Sequence, residues 1–289
     1  MLIMNTKIAI VTDSTAACTE EMIGNVPIIS VPLDVVWGDR PLRDGVDISA
    51  GGFYEEIKLA EIMPTTSQPS LSSFQEAYRN LINNGYEILS MHISEGISGT
   101  INSARQAAAL LDAQDKVVVI DSLVTAMVLK MQILEAAKAI NNGATLKECA
   151  ALVQDMRNRC GVFFTVETLD YLERGGRMTR MQAFAGNLLQ IHPILTFVDG
   201  KIVSIQKVRT YKGALSALKK LFFEGVEGKT IRNISATYTD NQAFVEEFVA
   251  EIIAELGIER PEDAFVDQLT PVIGTHTGPG CIGLAYLVE

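Results

Sequence analysis

Three times in the first half of the chain, a short apolar run stops at a polar loop and gives way to apolar residues at helical spacing. "IAIV" (8–11) ends at "TDS", "YEILSMHI" (86–93) at "SEGISGT", and "KVVVI" (116–120) at "DS". Leu71, Phe74, Tyr78, Leu81 and Ile82 then fall on one face of a helix. Strands separated by helices cannot pair as hairpins, so the pattern predicts an α/β domain with a parallel, Rossmann-like sheet and crossover helices. Ligands of such sheets bind outside the carboxyl ends of the strands. Two hydroxyl-rich stretches, "PTTSQPS" (64–70) and "SEGISGTINSA" (94–104), fall at or near those ends.

The grammar changes after "TLKE" (145–148), a capping box that opens a further helix with Leu146, Val153 and Met156 on one face. "ILTFVDGKIVSIQKV" holds two strand-like runs around Asp199-Gly200, an antiparallel hairpin signal. The runs "ISATY", "AFVDQL" and "CIGLAYLV" surround helical patterns at 212–223 and 241–256. The expectation is an N-terminal parallel-sheet domain over 1–160 and a C-terminal α/β domain with a mixed or antiparallel sheet over 161–289. With no low-complexity linker, the halves are expected to pack closely.

Several function classes lose ground on composition. The 289 residues are 48% hydrophobic and 20% charged, as in a globular protein with a sizeable core. No apolar run approaches the roughly 18–20 residues of a spanning helix; "MVLKMQILEAAKAI" comes nearest and is broken by Lys130 and Glu135. The N-terminus enters a strand-like segment with no small-residue cleavage site. A cytoplasmic protein without stable membrane insertion is expected. Cys18, Cys149, Cys160 and Cys281 form no C-x-x-C pair, and His92, His192 and His276 are unclustered, so neither a disulfide frame nor a metal site is expected. Net charge is −11, yet residues 171–220 carry nine Lys/Arg against Glu173 and Asp199. That stretch reads either as a solvated face or as a docking surface for an anionic partner. Nucleic acid is a poor candidate, because the rest of the chain would repel it.

"GISGT" (96–100) nearly matches the Gly-x-Ser-x-Gly nucleophile elbow, but Thr100 replaces the second glycine. Ser98, Asp121 and His276 still follow the Ser…Asp…His order of α/β hydrolases, which leaves a serine esterase as the alternative. The plainer reading is a helix cap. A third joins the two: hydroxyls and backbone N–H groups of Ser98, Gly99 and Thr100 at a helix N-terminus suit an anion, and Gly99 lets it approach the backbone. With Thr66 and Ser67 in the same cleft, the result would be a cup of donors for a carboxylate, with hydroxyls that bind rather than react. Asp13 and Asp121 read most simply as caps. The ten methionines read as core, or as lining for a flexible apolar ligand. Nothing matches a phosphate-binding P-loop or a dinucleotide fingerprint, which argues against a kinase in its own right, although a small-anion module stays open. His276, ahead of Gly278-Pro279-Gly280, could donate to an acid headgroup.

"TDSTA", "DG-D" at 44–47, "TTSQPS", "SGTINSAR", "DS" at 121–122, "LERGGR" and "HTGPG" occur in this order. Together they resemble the DegV family of bacterial fatty-acid-binding proteins, over roughly residues 8–287. The resemblance implies two α/β domains with a ligand cleft between them and one long-chain fatty acid in a buried tunnel. It implies Thr66, Ser98, Gly99 and His276 as carboxylate-binding residues, with no metal and no cofactor beyond the bound acid. It also implies a carrier rather than an enzyme, which presents the acid to a fatty acid kinase; the kinase makes an acyl phosphate for phospholipid synthesis. Arg174, Arg177, Lys207 and Arg209 would face that partner or the phosphate. Two departures, Glu95-Gly96 before "ISGT" and the additional Arg180 in "RMTRM", remove no headgroup residue. Burying about 14 methylenes at about 0.8 kcal/mol each favours binding by roughly 11 kcal/mol before association costs. A carboxylate buried without donors would cost several kcal/mol, so the cup is required.

Overall fold

The computed structural model describes residues 7–178 and 191–289; Arg180 lies outside the described residues. The chain begins with β1 (Lys7–Asp13), β2 (Ile28–Val31), β3 (Asp34–Trp37), β4 (Arg40–Arg43), α1 (Ala50–Ile57), β5 (Thr65–Ser67) and α2 (Leu71–Asn83). It continues through β6 (Tyr86–His92), α3 (Thr100–Leu110), β7 (Val117–Asp121), α4 (Ala126–Asn141) and α5 (Leu146–Met156). The remainder runs β8 (Cys160–Thr165), α6 (Asp170–Arg174), β9 (His192–Val198), β10 (Lys201–Val208) and α7 (Tyr211–Val226). It ends with β11 (Ile231–Tyr238), α8 (Gln242–Leu256), β12 (Val266–Gln268), α9 (Pro271–Thr277) and β13 (Ile282–Val288).

Contacts divide the chain into two units. One holds the residues up to Asp34 together with Ser67–Asn158; the other holds Val35–Thr66 together with Arg159–Glu289. The sequence reading assigns 35–66 to the N-terminal half, and the structure differs for a visible reason. Phe53 and Tyr54 are buried on α1, and a Cβ on Gly274 of α9 would meet both rings. The Val272 N–H also reaches the buried Asp44 carboxylate at 3.2 Å. These contacts outweigh chain proximity, and no periodicity within 35–66 announces them.

The first unit is built on a parallel sheet in the order β2-β1-β6-β7. Ser70 caps α2 by accepting the Ser73 N–H, and Phe74, Ala77, Tyr78 and Leu81 bury the face that the spacing predicts. The Thr145–Glu148 capping box is present on α5. The chain leaves β1 for β2 on one side, while β6 pairs on the other. The loops after β1 and β6 therefore flank the topological switch point, where such sheets bind ligands.

The second unit carries a six-stranded sheet in the order β10-β9-β8-β13-β11-β12, antiparallel except for the β11–β12 pair. It is the mixed sheet expected, and its β9–β10 hairpin turns at Asp199 and Gly200, both with positive φ. Leu218 and Phe222 of α7 and Val249 and Ile252 of α8 pack with Ile234, Leu284 and Tyr286 in one core. A small sheet, β4-β3-β5, brings in Thr66. No helix among the described residues is long and apolar enough to cross a membrane.

Candidate functional site

Several hydroxyls in the two polar stretches are used locally. Ser70 caps α2, the Ser94 Oγ accepts the Gly96 N–H at 3.1 Å, and Ser103 accepts from Gln68. The threonines beside His276 bond back into α9, Thr275 to the Pro271 carbonyl and Thr277 to the Ile273 carbonyl. Thr66 stands apart. Its Oγ1 lies 2.8 Å from His276 Nε2, across 210 positions of sequence.

That pair lines a cavity of about 150 Å³ in the second unit, together with Met63, Tyr171, Arg174 and Arg177. The turn after His276 is fixed from behind. The Gly280 N–H donates to Asp240 at 2.7 Å, and the other Asp240 oxygen pairs with Lys58 at 2.6 Å. Burial, and then the positive charge of Arg177, pull the His276 imidazole down to a pKa of about 4. Near neutral pH the ring is therefore uncharged and has one N–H to give. Its buried Nδ1 has no hydrogen-bond partner among the described residues. In the Nε2–H tautomer the ring donates to Thr66, and the Thr66 hydroxyl proton is then free for an anion. Arg177 donates to the Gly175 carbonyl at 2.5 Å, and burial lowers the pKa of its guanidinium. Exposed Arg174 lies 5.9 Å over the Tyr171 ring. The cavity is thus positive at its wall and neutral at its histidine.

Ser98 and Gly99 stand in the first unit, where the loop after β6 enters α3. Ser98 Oγ is 2.9 Å from Thr100 Oγ1 and accepts the Thr100 N–H at 3.3 Å, but Ser98 lies one residue ahead of the N-cap and is not itself the cap. Gly99 is the N-cap of an 11-residue helix and makes no side-chain cap bond of its own. A Cβ there would stand 1.9 Å from Gln68 Oε1. Gln68 in turn donates to Ser103 Oγ at 2.8 Å. The two polar stretches meet at this glutamine, which the sequence reading did not single out. The available signal was the one amide in a run of hydroxyls.

Arg174 and Arg177 share the cavity with Thr66 and His276, whereas Lys207 and Arg209 are exposed on or just after edge strand β10 and do not line it. The hydrolase constellation gains no support. Asp121 accepts the N–H groups of Glu95 and Leu123, and His276 Nε2 is engaged by Thr66.

A model of the DegV family matches residues 7–289. The chain belongs to the DegV family. It is 36% identical over 281 residues to protein DegV of Bacillus subtilis, covering 96% of this chain and 98% of that protein. A DegV domain-containing protein of Halalkalibacterium halodurans is 36% identical over 285 residues, 98% of this chain and 99% of the relative. The solved structure of a DegV family protein from Thermus thermophilus, which binds fatty acid, has a TM-score of 0.88 at 32% identity, over 98% of this chain and 100% of that chain. Bacillus subtilis DegV, a fatty acid binding protein, has a TM-score of 0.86 at 31% identity, with 98% and 100% covered. The parallel and mixed sheets described above are thus the DegV architecture.

Proposed function

We propose that this DegV protein binds one long-chain fatty acid and receives its carboxylate on Thr66, Ser98, the Gly99 backbone and His276. The observation that carries the reading is the Thr66–His276 pair in a cavity with two arginines. A neutral histidine fixes the threonine hydroxyl, and hydroxyl and amide donors hold a carboxylate without surrendering a proton to it. Hydrogen bonds to a charged acceptor contribute about 1.5–3 kcal/mol each. Thr66→Ala and Ser98→Ala should therefore each weaken oleate binding roughly tenfold or more. Protein purified without added lipid should release a C14–C20 acid into a denaturing extract, read by mass spectrometry. Consistently empty preparations, or unchanged affinity in both variants, would remove the proposal. Stoichiometric labelling of Ser98 by a fluorophosphonate would favour an esterase instead.

The finer part of the proposal is a cytoplasmic carrier that leaves catalysis to a fatty acid kinase, which forms an acyl phosphate used in phospholipid synthesis. Its support is the exposed basic groups of this segment, Arg174 at the cavity and Lys207 and Arg209 on or just after edge strand β10, in a chain of net charge −11. Arg209→Glu should leave oleate affinity intact and reduce phosphorylation of the bound acid by such a kinase at least tenfold. Wild-type turnover would discard this docking role.

A further inference from the structure

Beneath the Ser98 loop lies a hydrogen-bonded chain that no step above uses. Asp13, at the end of β1, is fully buried, as are Ser90, His92 and Tyr78. One Asp13 oxygen accepts the Thr15 N–H at 3.1 Å and the Thr15 hydroxyl at 2.6 Å. The other accepts the Ile93 N–H at 2.9 Å and faces His92 Nδ1 at 3.2 Å. His92 Nε2 is 2.7 Å from Ser90 Oγ, which is 2.7 Å from the Tyr78 hydroxyl. The Phe74 ring meets the imidazole edge to face at a centroid distance of 5.0 Å.

An Asp-His-Ser relay of this kind has the connectivity of a catalytic triad. Here it cannot be one, because Ser90 has no exposed surface for a substrate to reach. Its donors and acceptors nevertheless run in one direction. A carboxylate accepts only, so its four partners must all donate, which puts a proton on His92 Nδ1. With Tyr78 donating to Ser90 and Ser90 passing its own proton on, His92 Nε2 is the acceptor at the far end. Burial pushes the Tyr78 phenol well up, which keeps it a donor. Reversing the chain would leave the buried Tyr78 proton without an acceptor, a costly state.

The output of the chain is the Ile93 N–H, the first amide after β6, where the loop that carries Ser98 begins. Further along, the Ser94 N–H goes to the Val124 carbonyl and the Ser98 N–H to the Ser94 carbonyl, so the loop is built upward from that fixed point. We infer that Asp13 and His92 are positioning residues that set the Ser98 loop for ligand binding. The inference rests on the proposal that Ser98 meets the fatty-acid carboxylate. In Asp13→Asn the amide nitrogen must face either the Thr15 donors or the Ile93 and His92 donors, a donor–donor conflict that displaces one side.

The test is a double-mutant cycle read in oleate affinity and, separately, in urea unfolding. Asp13→Asn should weaken oleate binding at least tenfold in the wild-type background and less than twofold in Ser98→Ala, while its stability cost is the same in both. NMR of the imidazole should find His92 as the Nδ1–H tautomer. If Asp13→Asn does not fold, Thr15→Val, which deletes one hydroxyl donor to the same carboxylate, runs the same cycle with a smaller effect. An equal affinity loss in both backgrounds, or stability loss with full affinity, overturns the inference while leaving the fatty-acid reading intact. Wild-type protein that binds no oleate overturns both.

Discussion

Gly278→Ala should destabilise the protein by roughly 2–6 kcal/mol, the largest effect expected of any single methyl group near the site. Two independent costs meet there. The backbone holds φ +69° and ψ −178°, a region that is essentially restricted to glycine and costs other residues about 1–3 kcal/mol. The new Cβ would also stand 2.4 Å from the Tyr171 ring, and overpacking of that kind adds about 1–3 kcal/mol. The Gly278 N–H closes α9 on the Gly274 carbonyl at 2.8 Å, two residues after His276, so relief of the clash must move the histidine. Gly176→Ala is the control: φ is +70°, but nothing lies within 4 Å of its Cβ, so only the backbone cost applies. Urea unfolding of both variants separates the terms. Equal losses would mean that the Tyr171 contact contributes nothing, and undiminished oleate affinity in Gly278→Ala would mean that the turn does not hold His276.

The sheets were legible because each reports itself locally. The β6 and β7 runs are short and apolar and lead into α3 and α4, as their spacing predicts, whereas β1 leads to β2, β3 and β4 before the first α-helix; the β9–β10 hairpin carries Asp-Gly at its turn. A capping box is equally local, which is why Thr145 and Glu148 could be read from spacing. The allegiance of residues 35–66 was not legible. It depends on Asp44 reaching Val272 and on Phe53 and Tyr54 fitting against Gly274, contacts more than 200 positions apart. The Thr66–His276 pair has the same character: both residue types could be singled out from their motifs, but the 2.8 Å contact follows from tertiary packing. His92 shows the limit most clearly. As an isolated histidine at the end of an apolar strand it carries no signal, and only the convergence of Asp13, Ser90 and Tyr78 gives it a task.

Acidification should weaken the fold through His276, in a window set by its own shift. The unfolded chain protonates this ring near its ordinary pKa of 6.5, whereas burial and Arg177 hold the folded value at about 4. Above 6.5 the ring is neutral in both states and imposes no penalty. Between 6.5 and 4 the unfolded chain binds a proton that the folded chain refuses, so stability falls as pH falls and levels off below 4. The gap of about 2.5 units corresponds to a loss on the order of 3 kcal/mol. Carboxylates titrate in the lower part of the same window, so the quantity to measure is the difference between wild type and His276→Gln across pH 7 to 4. That difference should grow in favour of the variant by about 3 kcal/mol, because glutamine keeps a donor for Thr66 and takes up no proton. Saturating oleate should shrink it, since a carboxylate beside the ring offsets the Arg177 repulsion and lets the folded state accept the proton. Parallel stability curves for the two proteins would show that His276 titrates normally, and with that the uncharged, hydroxyl-orienting role assigned to it would fail.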